Sequence, residues 1–366
     1  MRNQHKPVLI FAQSGRFLAQ SATQSGYRVW VADCFGDQEI LSIAERWQQL
    51  DPFDSLTPNK ILAILSELTQ GEDCTLLCGS GIERFYPFLN ELPKNIELVG
   101  NSVNTIHTLK TPQLFFTLLN QQNLPYPETL FQTPTDGENW LAKSGSGLGG
   151  THIQYANKSS SQRTNRYFQQ FITGTCGSVL FLADSVQSQI ISINQQYLSP
   201  SPSTPFRLGK IDTPWLISTL HRQQLKLATD KITFNTGLLG LNSLDFIISN
   251  QGKLLILEVN PRPSASAELI DKEINLFQHH ITACHRKLPL TAIIQPLMNT
   301  SLHYIYADHD TVISIDMTWP LECSDLPTEG TFIQKEAPIC TVLLVHAENL
   351  LPHIEQAIKK QLPVLA

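Results

Sequence analysis

Apolar residues come first in short unbroken runs and later in alternating ones, and that change of period divides the chain. Val8 to Ala12 is apolar throughout, Tyr27 to Asp33 nearly so, and Cys74 to Cys78 is a third run of similar length. Such runs, bounded by glycine or polar turns, predict short buried strands. An amphipathic stretch through Ser21 follows the first run. Pro58 to Thr69 carries Ile61, Leu62, Leu65 and Leu68 at helical spacing. Strand, turn, helix and strand in that order predict a small parallel α/β unit. Pro112 after Thr111 suits a first helical position, and Leu114, Phe115, Leu118 and Leu119 supply the apolar stripe behind it. Leu124-Pro125-Tyr126-Pro127 ends that helix. A domain boundary is expected near residue 105.

Beyond residue 140 the pattern predicts antiparallel strands. Lys143 lies on a strand, a glycine-rich turn follows, and Thr151 to Tyr155 alternates as a returning strand. After a polar link from Asn157 to Asn165, strands are expected at Tyr167 to Ile172, Gly177 to Ala183 and Gln189 to Asn194. Segment 199–214 is punctuated by prolines and is given no structure. His221 to Phe234 is expected to be helical. Gly237 to Ile248 and Lys253 to Val259 form a predicted hairpin around Asn250-Gln251-Gly252. Ala267 to Lys287 is predicted as one helix, with Glu268, Asp271 and Glu273 on a solvated face. Short strands at Thr311 to Met317, Gly330 to Ile333 and Pro338 to Leu343, then a helix from Leu350 to Leu362, complete a mixed α/β and α+β pattern.

Composition narrows the classes of function. The 366 residues suffice for two or three domains of about 100–200 residues each. A hydrophobic share of 42% supports ordinary globular cores. A net charge of −6 argues against a nucleic-acid or anionic-membrane surface. No apolar run approaches the roughly 18 residues of a membrane span. The first residues lead into a strand rather than a signal peptide. The seven cysteines are scattered, and Cys74 and Cys78 share one strand face, which suits reduced thiols and a cytosolic location.

Candidate chemistry gathers around Leu254 to Pro263. Glu258 and Asn260 stand two apart on a strand, so both project from one face, and Arg262 follows two residues later. The predicted hairpin brings Asp245 beside them. Two carboxylates and an amide are hard oxygen donors of the kind magnesium takes when phosphate and water fill its other positions. Lys110 and Lys143 would neutralise phosphate charge, and Arg262 could grip a carboxylate or acylphosphate with two prongs. Gly145, Gly147 and Gly150 have dinucleotide-loop spacing, but the strand predicted after them, where that loop needs a helix, points to a hairpin closing over phosphates. His279, His280, Cys284 and His285 cluster on one helix without the spacing of a metal motif, and are expected to be packing or exposed residues.

In this order and context the residues resemble the ATP-grasp ligases. The likeness rests on Lys110 before a helix, Lys143 ahead of Gly147, Gly149 and Gly150, the strand Gln169-Gln170-Phe171-Ile172, and Asp245 paired with Glu258-Val259-Asn260. It covers most of residues 1–295. It implies the ATP-grasp fold, with residues 1–105 as an N-terminal α/β domain and 106–295 as a two-lobed ATP clamp. Residues 296–366 would form a β-rich C-terminal region with a final helix. It implies ATP with Mg²⁺ (or Mn²⁺), adenine against Gln169 to Ile172, and metal at Asp245, Glu258 and Asn260. The implied reaction joins a small-molecule carboxylate to an amine through an acylphosphate, with Arg262 as the catalytic residue and no nucleic-acid or membrane partner. The family's adenine strand usually carries a glutamate and a second acid that meets the ribose. Here stand Gln169-Gln170 and, a turn later, Ser178, so ATP affinity is weakened or a neutral group substitutes. The alternatives are an inactive ATP-binding protein and a small-molecule kinase on the same scaffold. Gly79-Ser80-Gly81, Val99-Gly100-Asn101-Ser102, Trp319-Pro320, Cys323-Ser324-Asp325 and Pro338 to Val342 are similar to a subgroup encoded with methylotroph methanopterin- and methanofuran-type cofactor enzymes, and more distantly to tyramine–glutamate ligases. That likeness implies an amino acid such as glutamate as one substrate. The sequence leaves oligomeric state open.

Overall fold

The computed structural model describes residues 6–53, 55–134, 139–145, 147, 149–156, 166–288 and 298–364. Among the described residues three sheets carry the architecture, beside a two-stranded pairing of Thr311–Val312 with Phe332–Ile333. The first is parallel, with strands Val8–Phe11, Val29–Asp33, Arg46–Gln49, Cys74–Cys78 and Ile96–Leu98. Val8–Phe11 is central, flanked by Val29–Asp33 on one side and Cys74–Cys78 on the other. Because strand side chains alternate, Leu9, Phe11, Trp30 and Leu76 build the core on one face, while Val8, Ile10, Val31 and Leu77 build it on the other. The helix predicted from Pro58 to Thr69 has those bounds, and the Thr57 side chain caps it by accepting from the Lys60 N–H.

A small antiparallel sheet orders Thr129–Leu130, Arg166–Gln170, Trp140–Ser144 and Gln154–Tyr155 side by side. The large sheet has eight strands. It runs from Leu254–Asn260 through Leu239–Ser249, Gly174–Asp184, Ser188–Leu198 and Leu208–Thr213 to Thr300–Tyr306, Pro338–Val345 and Cys323–Ser324. Helices Pro112–Gln121 and Thr219–Thr236 cover one face, packing Phe115, Phe116, Leu225 and Ile232 on Val179, Phe181, Leu244 and Phe246. Leu269, Ile270 and Leu276 cover the other face against Leu180, Leu182 and Leu241.

Several expectations change in detail. Segment 199–214 is not structureless, since Leu208–Thr213 is an inner strand paired on both sides. The returning strand after the glycine turn is only Gln154–Tyr155, because Thr151 and His152 belong to the turn. The helix predicted over Ala267 to Lys287 is broken into Glu268–Asp271 and Leu276–Cys284. Asn275 restarts it: its side-chain oxygen accepts from the Gln278 N–H at 3.0 Å, while Asp271 Oδ1 accepts from the Leu276 N–H at 3.2 Å. A helix at Val103–Lys110, capped by Ser102, carries no strong apolar stripe and went unpredicted. The strand expected at Thr311 to Met317 is confined to Thr311–Val312. The polar link at 157–165, Ser146 and Leu148 of the glycine turn, and the boundary near 295 lie outside the described residues. Among the described residues no helix is long and apolar enough to cross a membrane.

Candidate active site

The hairpin Leu239–Ser249 with Leu254–Asn260 sets the site. Its register places Asp245 opposite Glu258 and Ser243 opposite Asn260, with an irregularity just after Asp245. Alternation turns these side chains away from the Leu244, Phe246 and Val259 core. The Asn260 amide donates to Asp245 Oδ2 at 3.2 Å, and the Gln196 amide donates to Asp245 Oδ1 at 3.4 Å. The donor set is therefore two carboxylates and an amide on one face, which fits a hard divalent cation that shares its remaining positions with phosphate and water. Asp245, Glu258 and Asn260 would hold it. Among the described residues no three His, Cys, Asp or Glu side chains gather, so such an ion needs ligand oxygens from elsewhere.

Lys110, at the C-terminal end of its helix, reaches this group. Its ammonium donates to Glu258 Oε2 at 3.3 Å, to Asn260 Oδ1 at 3.4 Å and to the Val259 carbonyl at 3.5 Å. Desolvation and then the Glu258 charge push the Asp245 carboxyl up to about 8. Burial opposes the charged form of Glu258 too, but Lys110, His152 and Lys143 outweigh it and pull this group down to about 2. The pair thus favours the ionised form at Glu258 over that at Asp245.

Lys143 is buried on Trp140–Ser144 and donates to Gln169 Oε1 at 2.7 Å, while the Gln169 amide donates to Thr129 Oγ1 at 3.1 Å. Burial lowers the Lys143 pKa. Gln169 thus meets Lys143 with a neutral carbonyl in place of a carboxylate. The Gln170 N–H donates to the Glu128 carbonyl and the Phe171 N–H to the Asn139 carbonyl, so both are taken within the protein, just short of Ile172. The glycine turn folds onto segment 206–208. The Leu208 N–H donates to the Gly149 carbonyl at 3.1 Å, and a Cβ on Gly150 would lie 2.0 Å from the Phe206 carbonyl oxygen. A Cβ on Gly147 would strike the His152 ring at 1.9 Å. Only glycine permits these approaches.

Arg262 is set by the N-terminal domain. Its Nε donates to Glu83 Oε1 at 2.7 Å, its Nη1 donates to the Pro263 carbonyl at 3.1 Å, and Glu83 Oε2 accepts from the Gly81 N–H at 3.0 Å. Asn101 ties the same domain to the first strand of the hairpin and to the residue that follows the second. Its amide donates to Asn242 Oδ1 and to the Pro261 carbonyl, and its oxygen accepts from the Leu239 N–H at 2.8 Å. The sequence singles out neither Glu83 nor Gln196, and Asn101 only as part of Val99-Gly100-Asn101-Ser102, without a role; the turn Gly79-Ser80-Gly81 is the local signal nearest Glu83. The histidine cluster is structural. His280 Nδ1 accepts from the Leu241 N–H at 2.9 Å, its Nε2 lies 3.2 Å from the Val99 carbonyl, and burial pushes the ring down to about 4.

Residues 110–266 match the family model of the ATP-grasp domain. The biotin carboxylase domain of Hydrogenobacter thermophilus 2-oxoglutarate carboxylase, solved with MgADP, ADP and bicarbonate, superimposes with a TM-score of 0.74 at 13% identity, over 94% of this chain and 87% of that one. An L-amino acid ligase from Bacillus licheniformis gives 0.71 at 15% identity, over 99% of both chains. The N5-carboxyaminoimidazole ribonucleotide synthetase of Thermotoga maritima gives 0.64 at 16% identity, over 99% of this chain and 100% of that one. No curated protein matched the sequence. The chain has the ATP-grasp fold, and the match to the ATP-grasp family model lies within it at residues 110–266.

Proposed function

We propose that the protein is an ATP- and Mg²⁺-dependent ligase that joins a carboxylate to an amine. The observation that carries this reading is the convergence of Asp245, Glu258, Asn260 and Lys110 within hydrogen-bonding reach, beside Arg262. Phosphoryl transfer asks for positioned oxygens and neutralised charge rather than a protein nucleophile, and this site offers that. Lys110 and Lys143 would bind the phosphates, and the glycine turn would close over them. A magnesium ion, when bound, would supply further neutralisation of the phosphate oxygens. Arg262, with Nε committed to Glu83, has its Nη2 edge for the carboxylate. A carboxylate oxygen attacks the γ-phosphorus, the bond to the β-phosphate oxygen breaks, and ADP leaves. The amine then adds to the acylphosphate carbonyl, loses a proton, and phosphate departs. The solved structures bearing MgADP and the amino acid ligase support this reading by their shared fold.

The finer assignment is an amino acid such as glutamate as the carboxylate, joined to an aromatic amine or a one-carbon cofactor precursor, in the cytosol. The seven free cysteines accord with a reducing compartment. ADP release measured against added glutamate, with and without tyramine, tests the scheme, and a panel of other carboxylates and amines extends it. Release that needs both substrates supports the ligase. Release that needs one favours a kinase, and no release from any pair despite ATP binding sinks the enzymatic reading.

A further inference from the structure

The ammonium of Lys110 stands where a metal ion would share oxygens with the protein. Its three contacts, at 3.3, 3.4 and 3.5 Å, all go to Glu258, Asn260 and the Val259 carbonyl between them, one for each of its donors. The Lys110 side chain is only 4% exposed. Asn260 is committed in the same sense, with its oxygen turned to Lys110 and its amide nitrogen to Asp245. A magnesium ion sits about 2.0–2.1 Å from its oxygens, so ion and ammonium cannot both hold Glu258 and Asn260 in this arrangement.

We propose that Lys110 is a tethered stand-in cation that bars the divalent metal from Glu258 and Asn260 until a nucleotide phosphate arrives to take the ammonium. The proposal rests on the nucleotide site proposed above. Metal alone would displace a buried ammonium and leave it without an anion, which is strongly unfavourable. Metal with a triphosphate exchanges one anion for another, so the ammonium keeps a partner and the metal gains oxygens. Linkage then makes the effect reciprocal: nucleotide raises the affinity for metal, and metal raises the affinity for nucleotide by the same factor.

Electron paramagnetic resonance of free Mn²⁺ tests this without turnover. Wild type and Lys110→Met are titrated with Mn²⁺ alone, and wild type also in the presence of a non-hydrolysable ATP analogue. Lys110→Met should bind Mn²⁺ alone at least tenfold more tightly than wild type, and Lys110→Arg, which keeps a cation there, should stay as weak as wild type. Equal Mn²⁺ affinity in wild type and Lys110→Met overturns the proposal. So does tight Mn²⁺ binding by nucleotide-free wild type, a measurement that needs no variant to fold. If wild type binds Mn²⁺ with the analogue while Lys110→Met gains nothing alone, only the stand-in role falls. If wild type binds no Mn²⁺ even with the analogue, the nucleotide site falls with it.

Discussion

The charges around Arg16 and those around Glu258 are finished to different degrees. Around Arg16, whose side chain is 2% exposed, contacts are short and doubled. Its Nη2 donates to Glu268 Oε2 and to Asp325 Oδ2, both at 2.8 Å, its Nε donates to Asp325 Oδ1 at 3.0 Å, and its Nη1 donates to Glu268 Oε1. Thr341 and Ser14 hydroxyls donate to Asp325 as well. Burial works against the charged Asp325, yet Arg16 holds that carboxyl below its ordinary range. Around Glu258 the contacts run from 3.2 to 3.5 Å, and the neighbouring Asp245 carboxyl is pushed upward. Charges that have met their partners brace a fold. Charges held near one another with contacts to spare are arranged for something that arrives later.

Removing one member from each group should separate these roles. Glu258→Gln is expected to cut Mg·ATP turnover by about a thousandfold or more, since a metal clamp contributes several kcal/mol to such a transition state. Full activity would remove the metal assignment. Arg16→Met, by contrast, strands Glu268 and Asp325 and should cost about 3–5 kcal/mol of stability in denaturant titration. A loss below about 1 kcal/mol would show that the two acids find water or protons instead.

Smaller effects follow pH. His280 is depressed to about 4 from an ordinary 6.5, so the unfolded chain binds more protons between those values. Stability from its neutral form is intact above pH 6.5 and lost as pH falls toward 4, by about 3 kcal/mol in total. His280→Gln should flatten that part of the curve. The smallest effect belongs to Asp245, raised to about 8 in the metal-free protein. Only its ionised form can ligate, so Mn²⁺ affinity with a nucleotide analogue should climb close to tenfold per pH unit up to about pH 8 and level off above it. An affinity flat from pH 6 to 9 would show that Asp245 is ionised throughout.

The same contrast explains what could be read in the sequence. The hairpin of Asp245, Glu258 and Asn260 was legible because its turn, Asn250-Gln251-Gly252, is local and strand alternation fixes which side chains share a face. The Arg16 group was not, because its partners lie 252 and 309 residues away and no periodicity or spacing links them to Arg16. Glu268 was expected on a solvated face for the same reason: helical spacing describes one helix, not what packs on it. Leu208–Thr213 was hidden because its outer neighbour in the sheet, Thr300–Tyr306, comes nearly ninety residues later in the chain. Lys110 is expected from the sequence to meet phosphate, yet its contacts with Glu258 and Asn260 depend on distances no spacing encodes.

The eight-stranded sheet also bears on how the gene could be dissected. Its hydrogen bonds pass without interruption from Leu208–Thr213 to Thr300–Tyr306, across the point where a compact nucleotide module would be trimmed. A fragment ending near residue 295 would leave Leu208–Thr213 with a row of open N–H and C=O groups. Such an edge recruits any extended chain nearby, so the shortened product would self-associate through its backbone before its catalytic side chains were ever assayed.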